Sequence, residues 1–281
     1  MKADLHLHTN WSDGALSPAE TAARAAEASL DLIAVTDHDT LRGSDELTAA
    51  DTSPRVLPGV ELSLSDMDGL HLLLYGLQDA PCLRARLDAL ARKRELRARL
   101  MLDRLAGLGM PIPWEAVQSS VRGSVGRKHI ARALLQAGYA KSEQETFDRW
   151  LGNGKPAYVA GERMSMAEAL GLAAECGWIP VLAHPRELGH SDRTLRSLLQ
   201  SWRERGLRGI EVYHPSAKAK GFAPLDHMAR EMGLLVTDGS DFHAPGERKL
   251  HCEIGATCGS WQSAEEDIAA LMSAMNESHT V

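Results

Sequence analysis

The chain opens with a pattern that few folds accommodate: Asp4-Leu5-His6-Leu7-His8-Thr9, a strand-like run carrying imidazoles two residues apart. Side chains alternate faces along a strand, so Asp4, His6 and His8 are expected to point one way and Leu5 and Leu7 the other. Same-face neighbours lie roughly 7 Å apart along the backbone, close enough to share an ion. Solvated strand faces ordinarily carry Lys, Thr or Glu, whereas paired histidines behind an aspartate point to metal.

The pattern recurs. Leu32-Ile33-Ala34-Val35-Thr36 has the apolar character of a strand buried on both faces, and it ends in Asp37-His38-Asp39. Glu61 follows Pro58-Gly59 near the end of the run from Val56 to Leu62. Later runs end in His184-Pro185, in His214-Pro215 and in Asp238-Gly239-Ser240-Asp241-Phe242-His243. His71 differs, because it opens its run, His71-Leu72-Leu73-Leu74-Tyr75, where the others close theirs. Helical patterns fall near 18–29, where Ser17 caps and Pro18 takes the first position, and near 165–176, 192–204, 217–232 and 262–275. Such βα repetition implies a parallel sheet, and α/β barrels gather their functional groups at the carboxyl ends of strands. His190, His227, His251 and His279 look like ordinary surface or loop residues.

Between these halves the chain changes character. Residues 81–107 form a long helical pattern rich in Arg and Leu, broken by Met110-Pro111-Ile112-Pro113. Gly126 to Ala137 and Ser142 to Leu151 predict two short helices, the second opened by a Ser142-x-x-Glu145 capping box, and Ala157-Tyr158-Val159 is the next candidate strand. Residues 100–160 are therefore expected to be a helical insertion, with 1–99 and 161–281 forming the main domain.

Composition bounds the alternatives. With a net charge of −7 the chain is poorly suited to coating nucleic acid, and no apolar run is long enough to span a bilayer. Cleavage of a leader at Met1-Lys2-Ala3 would damage the first candidate strand, so a cytoplasmic location is expected. Cys82, Cys176, Cys252 and Cys258 lack Cys-x-x-Cys spacing, which predicts reduced thiols.

Taken in order, Asp4-x-His6-x-His8, Thr36-Asp37-His38, Pro58-Gly59-x-Glu61, His71, Ala183-His184-Pro185 and Gly239-Ser240-Asp241-x-His243 resemble the motifs of the PHP (polymerase and histidinol phosphatase) family. The resemblance covers the chain outside the insertion. It implies a distorted (βα)7 barrel that hydrolyses phosphoesters with two or three divalent ions. Carried over by position, His6, His8, Glu61 and Asp241 would hold one ion, and Asp13, His38 and His243 a second. His71 and His184, with Glu61 bridging, would hold a third. Imidazole and carboxylate donors suit Mn²⁺, the favoured ion, or Zn²⁺ or Fe²⁺. Asp4, Asp37 and Asp39 are expected to orient imidazoles. No Ser or Cys nucleophile with a paired base is evident, so direct attack by metal-bound hydroxide is expected.

The insertion suggests the substrate. Between Ala116 and Ser142 there is no acidic residue, but Arg122, Arg127, Lys128, Arg132 and Lys141 are present. A helix opening at Gly126 would offer free N–H groups to a phosphate beside these charges. Gly126-Arg127-Lys128-His129-Ile130-Ala131-Arg132 and Leu151-Gly152-Asn153-Gly154-Lys155-Pro156 resemble the branch of the family that removes the 3′-phosphate from nucleoside 3′,5′-bisphosphates. Arg127, Lys128, His129, Arg132 and Lys155 are then candidates for anchoring the uncut phosphate. His214, with Asp13 and His184, is a candidate for catalysis, with its ring facing the substrate. A 5′→3′ exoribonuclease on short RNA is the alternative; aromatics are only 5% of the chain, which favours the smaller substrate. A non-catalytic metal-binding module would be expected to have lost ligands. Neither DNA nor a membrane is an expected partner.

Overall fold

A computed structural model describes residues 1–50, 53–119, 122–123, 125–246, 253–255 and 264–277. Ser124, His251, Cys252, Cys258 and His279 lie outside the described residues. One sheet contains seven strands in chain order: β1 Ala3–Leu7, β2 Leu32–Val35, β3 Arg55–Ser63, β4 His71–Tyr75, β5 Ile179–Leu182, β6 Gly209–Tyr213 and β7 Leu235–Asp238. A parallel bridge between Leu7 and Phe242 brings the two edges together, so the sheet curls into a nearly closed barrel.

The sheet is not wholly parallel, as the βα repetition had implied. β4 runs antiparallel to both β3 and β5. Only residues 64–70 separate β3 from β4, and a parallel crossover needs about a dozen residues or more. The chain therefore turns straight back. This reversal also explains His71: the first residue of an antiparallel strand lies at the same rim as the last residues of its parallel neighbours.

Helices α1 Pro18–Glu27 and α2 Arg42–Ala49 follow the first two strands, and α3 Pro81–Gly107 leaves β4. The insertion carries α4 Trp114–Gln118, α5 Arg127–Gln136 and α6 Glu143–Thr146, the last continued by a π-helical turn, Phe147–Leu151. Then come α7 Met166–Cys176, α8 Asp192–Glu204, α9 Ala223–Glu231 and α10 Glu265–Glu277. The helix expected over 217–232 is a 3₁₀ segment, Pro215–Lys220, and then α9; Gly221 separates them at φ +76°, outside the helical region. Ser142 accepts from the Glu145 N–H as a cap, but Glu145 bonds the Lys141 N–H instead of completing the box. Ala157-Tyr158-Val159 is not a strand, because Arg97 and Arg104 of α3 donate to the Val159 and Tyr158 carbonyls.

Leu5, Ala34, Leu57, Leu73, Tyr75 and Val181 pack within the ring of strands, together with Ile268 and Leu271 of α10. Outside the ring, Leu62, Leu72, Leu74 and Ile210 pack against α3, α7, α8 and α9. The insertion has a separate core, including Met101, Leu105, Ile130, Leu134 and Leu151. The boundary expected near residue 99 runs through α3, whose first half packs on the barrel and whose second half packs on the insertion. Cys82 and Cys176 are paired as a disulfide rather than reduced: α3 and α7 lie together and bring their Cα atoms to 6.7 Å. A separation of 94 residues gave no hint of this.

Candidate metal centre

Two bulges at the barrel rim aim the site. Between Asp4 and Leu7, β1 spends three steps where β2 spends two. One extra residue reverses the alternation, so Leu5 stays with the interior cluster while His6 and His8 also turn inward. The expected common face for Asp4, His6 and His8 is thus broken at Asp4. Its carboxylate instead accepts the N–H groups of Ser240 and Gly255 and fastens the segment after β7. A second bulge lies between Glu211 and Tyr213 on β6.

Around these strands the candidate ligands converge. His6 Nε2 lies 3.5 Å from Glu61 Oε2 and 3.4 Å from Asp241 Oδ1, and His8 Nε2 lies 3.2 and 3.1 Å from the same atoms. His71 Nδ1 and His184 Nε2 lie 2.8 and 3.0 Å from Glu61 Oε1 and 3.2 Å from each other. His243 Nε2 lies 3.2 Å from Asp13 Oδ1, with His38 Nε2 at 4.0 Å; His38 Nδ1 also approaches Glu61 Oε2 at 2.9 Å. Metal bonds of about 2.0–2.2 Å place neighbouring donor atoms about 3.0–3.5 Å apart, as most of these are.

The hydrogen bonds aim the free ring nitrogens at one space. His6 Nδ1 donates to Glu211 Oε1 at 3.0 Å, leaving Nε2 a lone pair. The Ser12 hydroxyl donates to Asp37 at 2.6 Å and is therefore free to accept from His8 Nδ1 at 3.4 Å, which leaves His8 Nε2 a lone pair too. The two Nε2 atoms lie 3.1 Å apart, a separation that a proton or a metal ion between them reconciles. Asp13 Oδ1, His38 Nδ1, Glu61 Oε2 and His243 Nε2 are buried in ion-pair contact with one another but without well-aligned hydrogen bonds among the described residues. Buried polar atoms without aligned hydrogen bonds are costly, and a metal ion between them removes the cost.

Electrostatics agree. Burial disfavours charge on Asp13, but His243, His38 and Lys128 outweigh it and hold the carboxyl well below its usual range. Glu61 and Asp241 are lowered in the same way by the surrounding imidazoles. Burial opposes charge on His8 as well, yet Asp241 and Glu61 push its pKa up to about 10, and Glu61 pushes His184 to about 9. Positive charge belongs here, as protons or as ions. His184, Asp241 and Asp39 have φ of +27°, +53° and +52°. Backbone held there costs about 1–3 kcal/mol per residue and clusters at functional sites.

The aspartates expected to orient imidazoles do other work in part. Asp37 accepts from Thr9 and Ser12 and reaches His8 only through Ser12. Asp39 pairs with Arg94. The carboxylate that directly holds an imidazole is Glu211, which the sequence showed only as a strand residue ahead of His214. His214 is fully buried; its Nδ1 accepts the Ser216 N–H at 3.1 Å, so Nε2 carries the proton, 3.7 Å from Asp241 Oδ2.

Beside the cluster lies a cavity of about 250 Å³, lined by Asp13, His38 and His71 on one side and by Arg127 and Lys128 on another. It also receives Lys93, Arg94 and Arg97 from α3 and Arg163 from the segment before α7, none of which the sequence had marked. The spacing of the three α3 residues along an Arg-rich helix resembles an ordinary solvated face, and only the fold brings them to the cavity. Lys128 Nζ already lies 2.6 Å from Asp13 Oδ2, and Arg132 bonds Glu143 and the Asp13 carbonyl. His129 does not face the cavity freely as a phosphate ligand would: Nδ1 accepts the Gly126 N–H, and Nε2 donates to the Ser12 carbonyl. Lys155 is exposed and lines no part of this cavity, and His214 lines none either.

The profile of the PHP domain matches residues 4–99. The 3′,5′-nucleoside bisphosphate phosphatase of Chromobacterium violaceum is 35% identical over 257 residues, covering 87% of this chain and 88% of its own. A 5′-3′ exoribonuclease of Haemophilus influenzae is 32% identical over 249 residues, covering 87% and 90%. A solved structure from Bifidobacterium adolescentis, described as a metal-dependent phosphoesterase, superposes with a TM-score of 0.82 at 27% identity, covering 97% of this chain and 96% of that one. Sequence, fold and converging donor atoms lead to one conclusion: the chain belongs to the PHP domain family, as a metal-dependent phosphoesterase.

Proposed function

We propose that the protein removes the 3′-phosphate of a nucleoside 3′,5′-bisphosphate, such as adenosine 3′,5′-bisphosphate, leaving the 5′-monophosphate. The observation that carries this reading is the shared wall of the cavity. Candidate metal ligands Asp13, His38 and His71 border the same space as Lys93, Arg94, Arg97, Arg127 and Arg163. A substrate with two phosphates can place one at the cluster while guanidinium forks hold the other. His6, His8, Glu61 and Asp241 would hold one ion, Asp13, His38 and His243 a second, and His71 and His184, with Glu61, a third. The set lacks thiolates, which favours Mn²⁺, with Zn²⁺ or Fe²⁺ as alternatives. Divalent ions there supply acidified water and neutralise phosphoryl oxygens. The chain's own residues do the rest. Arg97, Arg127 and Arg163 orient the substrate, and the Nε2–H of His214 is a donor available to a phosphoryl or leaving oxygen once the substrate reaches the cluster.

The name of the Haemophilus influenzae relative supports a second reading, 5′→3′ exoribonuclease action on short RNA. The deciding experiment supplies Mn²⁺ to metal-stripped protein and offers mono- and bisphosphorylated nucleotides beside a short 5′-phosphorylated RNA. Phosphate release from the bisphosphate, well above any nucleotide release from RNA, is expected; the opposite order overturns the first reading. Arg97→Ala and Arg163→Ala should each lower kcat/KM on the bisphosphate by roughly one to two powers of ten, as loss of a charge-assisted bond of about 1.5–3 kcal/mol implies. On a 3′-monophosphate they should do little. Lys128→Ala acts through Asp13 and should impair both substrates. Equal losses for Arg97→Ala on both substrates would reduce the assignment to an unspecified phosphoesterase.

A further inference from the structure

We propose that Glu211 is a positioning residue that sets ligands of two neighbouring ions at once, one by its ring and one by its backbone. The inference rests on reading the cluster as a metal centre and is independent of the substrate. Glu211 is fully buried in β6. Its Oε1 accepts from His6 Nδ1 at 3.0 Å, and its Oε2 accepts the His184 backbone N–H at 2.7 Å. The first bond fixes which nitrogen of His6 is left as a donor to metal: Nε2, which meets His8, Glu61 and Asp241. The second pins His184 where its φ is +27°, a conformation that residues other than glycine rarely adopt, and so brings its Nε2 to Glu61 and His71.

The surroundings are shaped for this pair. The β6 bulge begins at Glu211. At Gly239, a Cβ would lie 2.2 Å from the His6 Cβ and 2.4 Å from Glu211 Oε1, so any larger residue would push the two apart. His6 falls in one donor group and His184 in another, with Glu61 touching both. Glu211 is thus a second carboxylate common to the two groups, acting through the ligands rather than on the ions. Because both oxygens belong to one rigid carboxylate, displacing either ligand moves the other.

The test loads metal-free wild type, Glu211→Gln and Glu211→Asp with Zn²⁺ alone. Ions per chain are counted by elemental analysis and affinities are measured against a competing chelator. Glutamine keeps the shape but turns one acceptor into an NH₂ group facing an N–H. Both variants should bind two of the ions roughly 10- to 100-fold more weakly, with unchanged far-UV circular dichroism. His71→Ala, which removes a donor of the His184 group and none of the nitrogens around His6, should weaken one. In ¹⁵N-labelled, Zn²⁺-loaded wild type, His6 should carry its proton on Nδ1 and its metal on Nε2, a reading that stands even if the variants do not fold. Wild-type affinities in Glu211→Gln, weakening of a single ion, or metal on His6 Nδ1 would overturn the proposal. A wild type that binds no Zn²⁺ would overturn the metal centre beneath it.

Discussion

At the scale of single residues, the cluster sets imidazoles against carboxylates at donor spacings that a bound ion fits. His6→Ala and Asp241→Ala each remove a donor from the His6, His8, Glu61 and Asp241 group. Both should abolish turnover and lower bound metal while leaving circular dichroism close to wild type. Full metal content with normal activity in either would refute the assignment. His214 calls for a different outcome. Its Nδ1 accepts the Ser216 N–H, which leaves the ring proton on Nε2. His214→Asn should therefore lower kcat with metal content unchanged; if an ion is lost instead, His214 is a ligand.

At the scale of elements, α5 is a clamp on the loop after β1. In its first two turns His129 holds the Ser12 carbonyl, Lys128 the Asp13 carboxylate and Arg132 the Asp13 carbonyl. The insertion therefore grips the loop that supplies a candidate ligand. His129→Ala strands the Ser12 carbonyl and the Gly126 N–H. Stability should fall by about 1–3 kcal/mol for each buried group left unpaired, measured as a lower urea midpoint. Unchanged stability with a raised KM for the bisphosphate would return His129 to the substrate. The β1 and β6 bulges make the same point for strands: a single extra residue decides which side chains face the ions.

For the whole molecule, ions that bind only the folded chain stabilise it by mass action, about 4 kcal/mol at a free concentration 1,000 times Kd. Chelation should lower the melting temperature by several degrees or more, and Mn²⁺ or Zn²⁺ should restore it; an identical melting curve with and without chelator would count against bound ions. The pH dependence has a definite sign. In the metal-free protein His8 titrates at about 10 and His184 at about 9, so near pH 8 both hold protons that an ion must displace. Metal uptake should release protons, and apparent affinity should rise between pH 6 and 9. Calorimetry in buffers of different ionisation enthalpy reads this directly; proton uptake on loading would contradict it. No helix among the described residues is long and apolar enough to cross a membrane.

The sequence by itself determined most of the strand and helix alternation and the residue types that end each strand, because apolar periodicity and the choice of His, Asp and Glu are local properties. His71 stood out as opening its strand, and only the antiparallel pairing of β4 showed why that places it at the same rim. Tertiary structure alone decided the rest. A bulge is invisible in a run such as Asp4-Leu5-His6, so the parting of Asp4 from His6 and His8 had to be seen. Glu211 reads as one alternating strand residue until β1 closes against β7 and sets His6 against it. Lys93, Arg94 and Arg97 read as a solvated helix face until the insertion folds over them. Spacing along the chain specifies what each side chain can do; which side chains meet depends on barrel closure and on the packing of α3 across two cores, and neither is encoded in any one stretch.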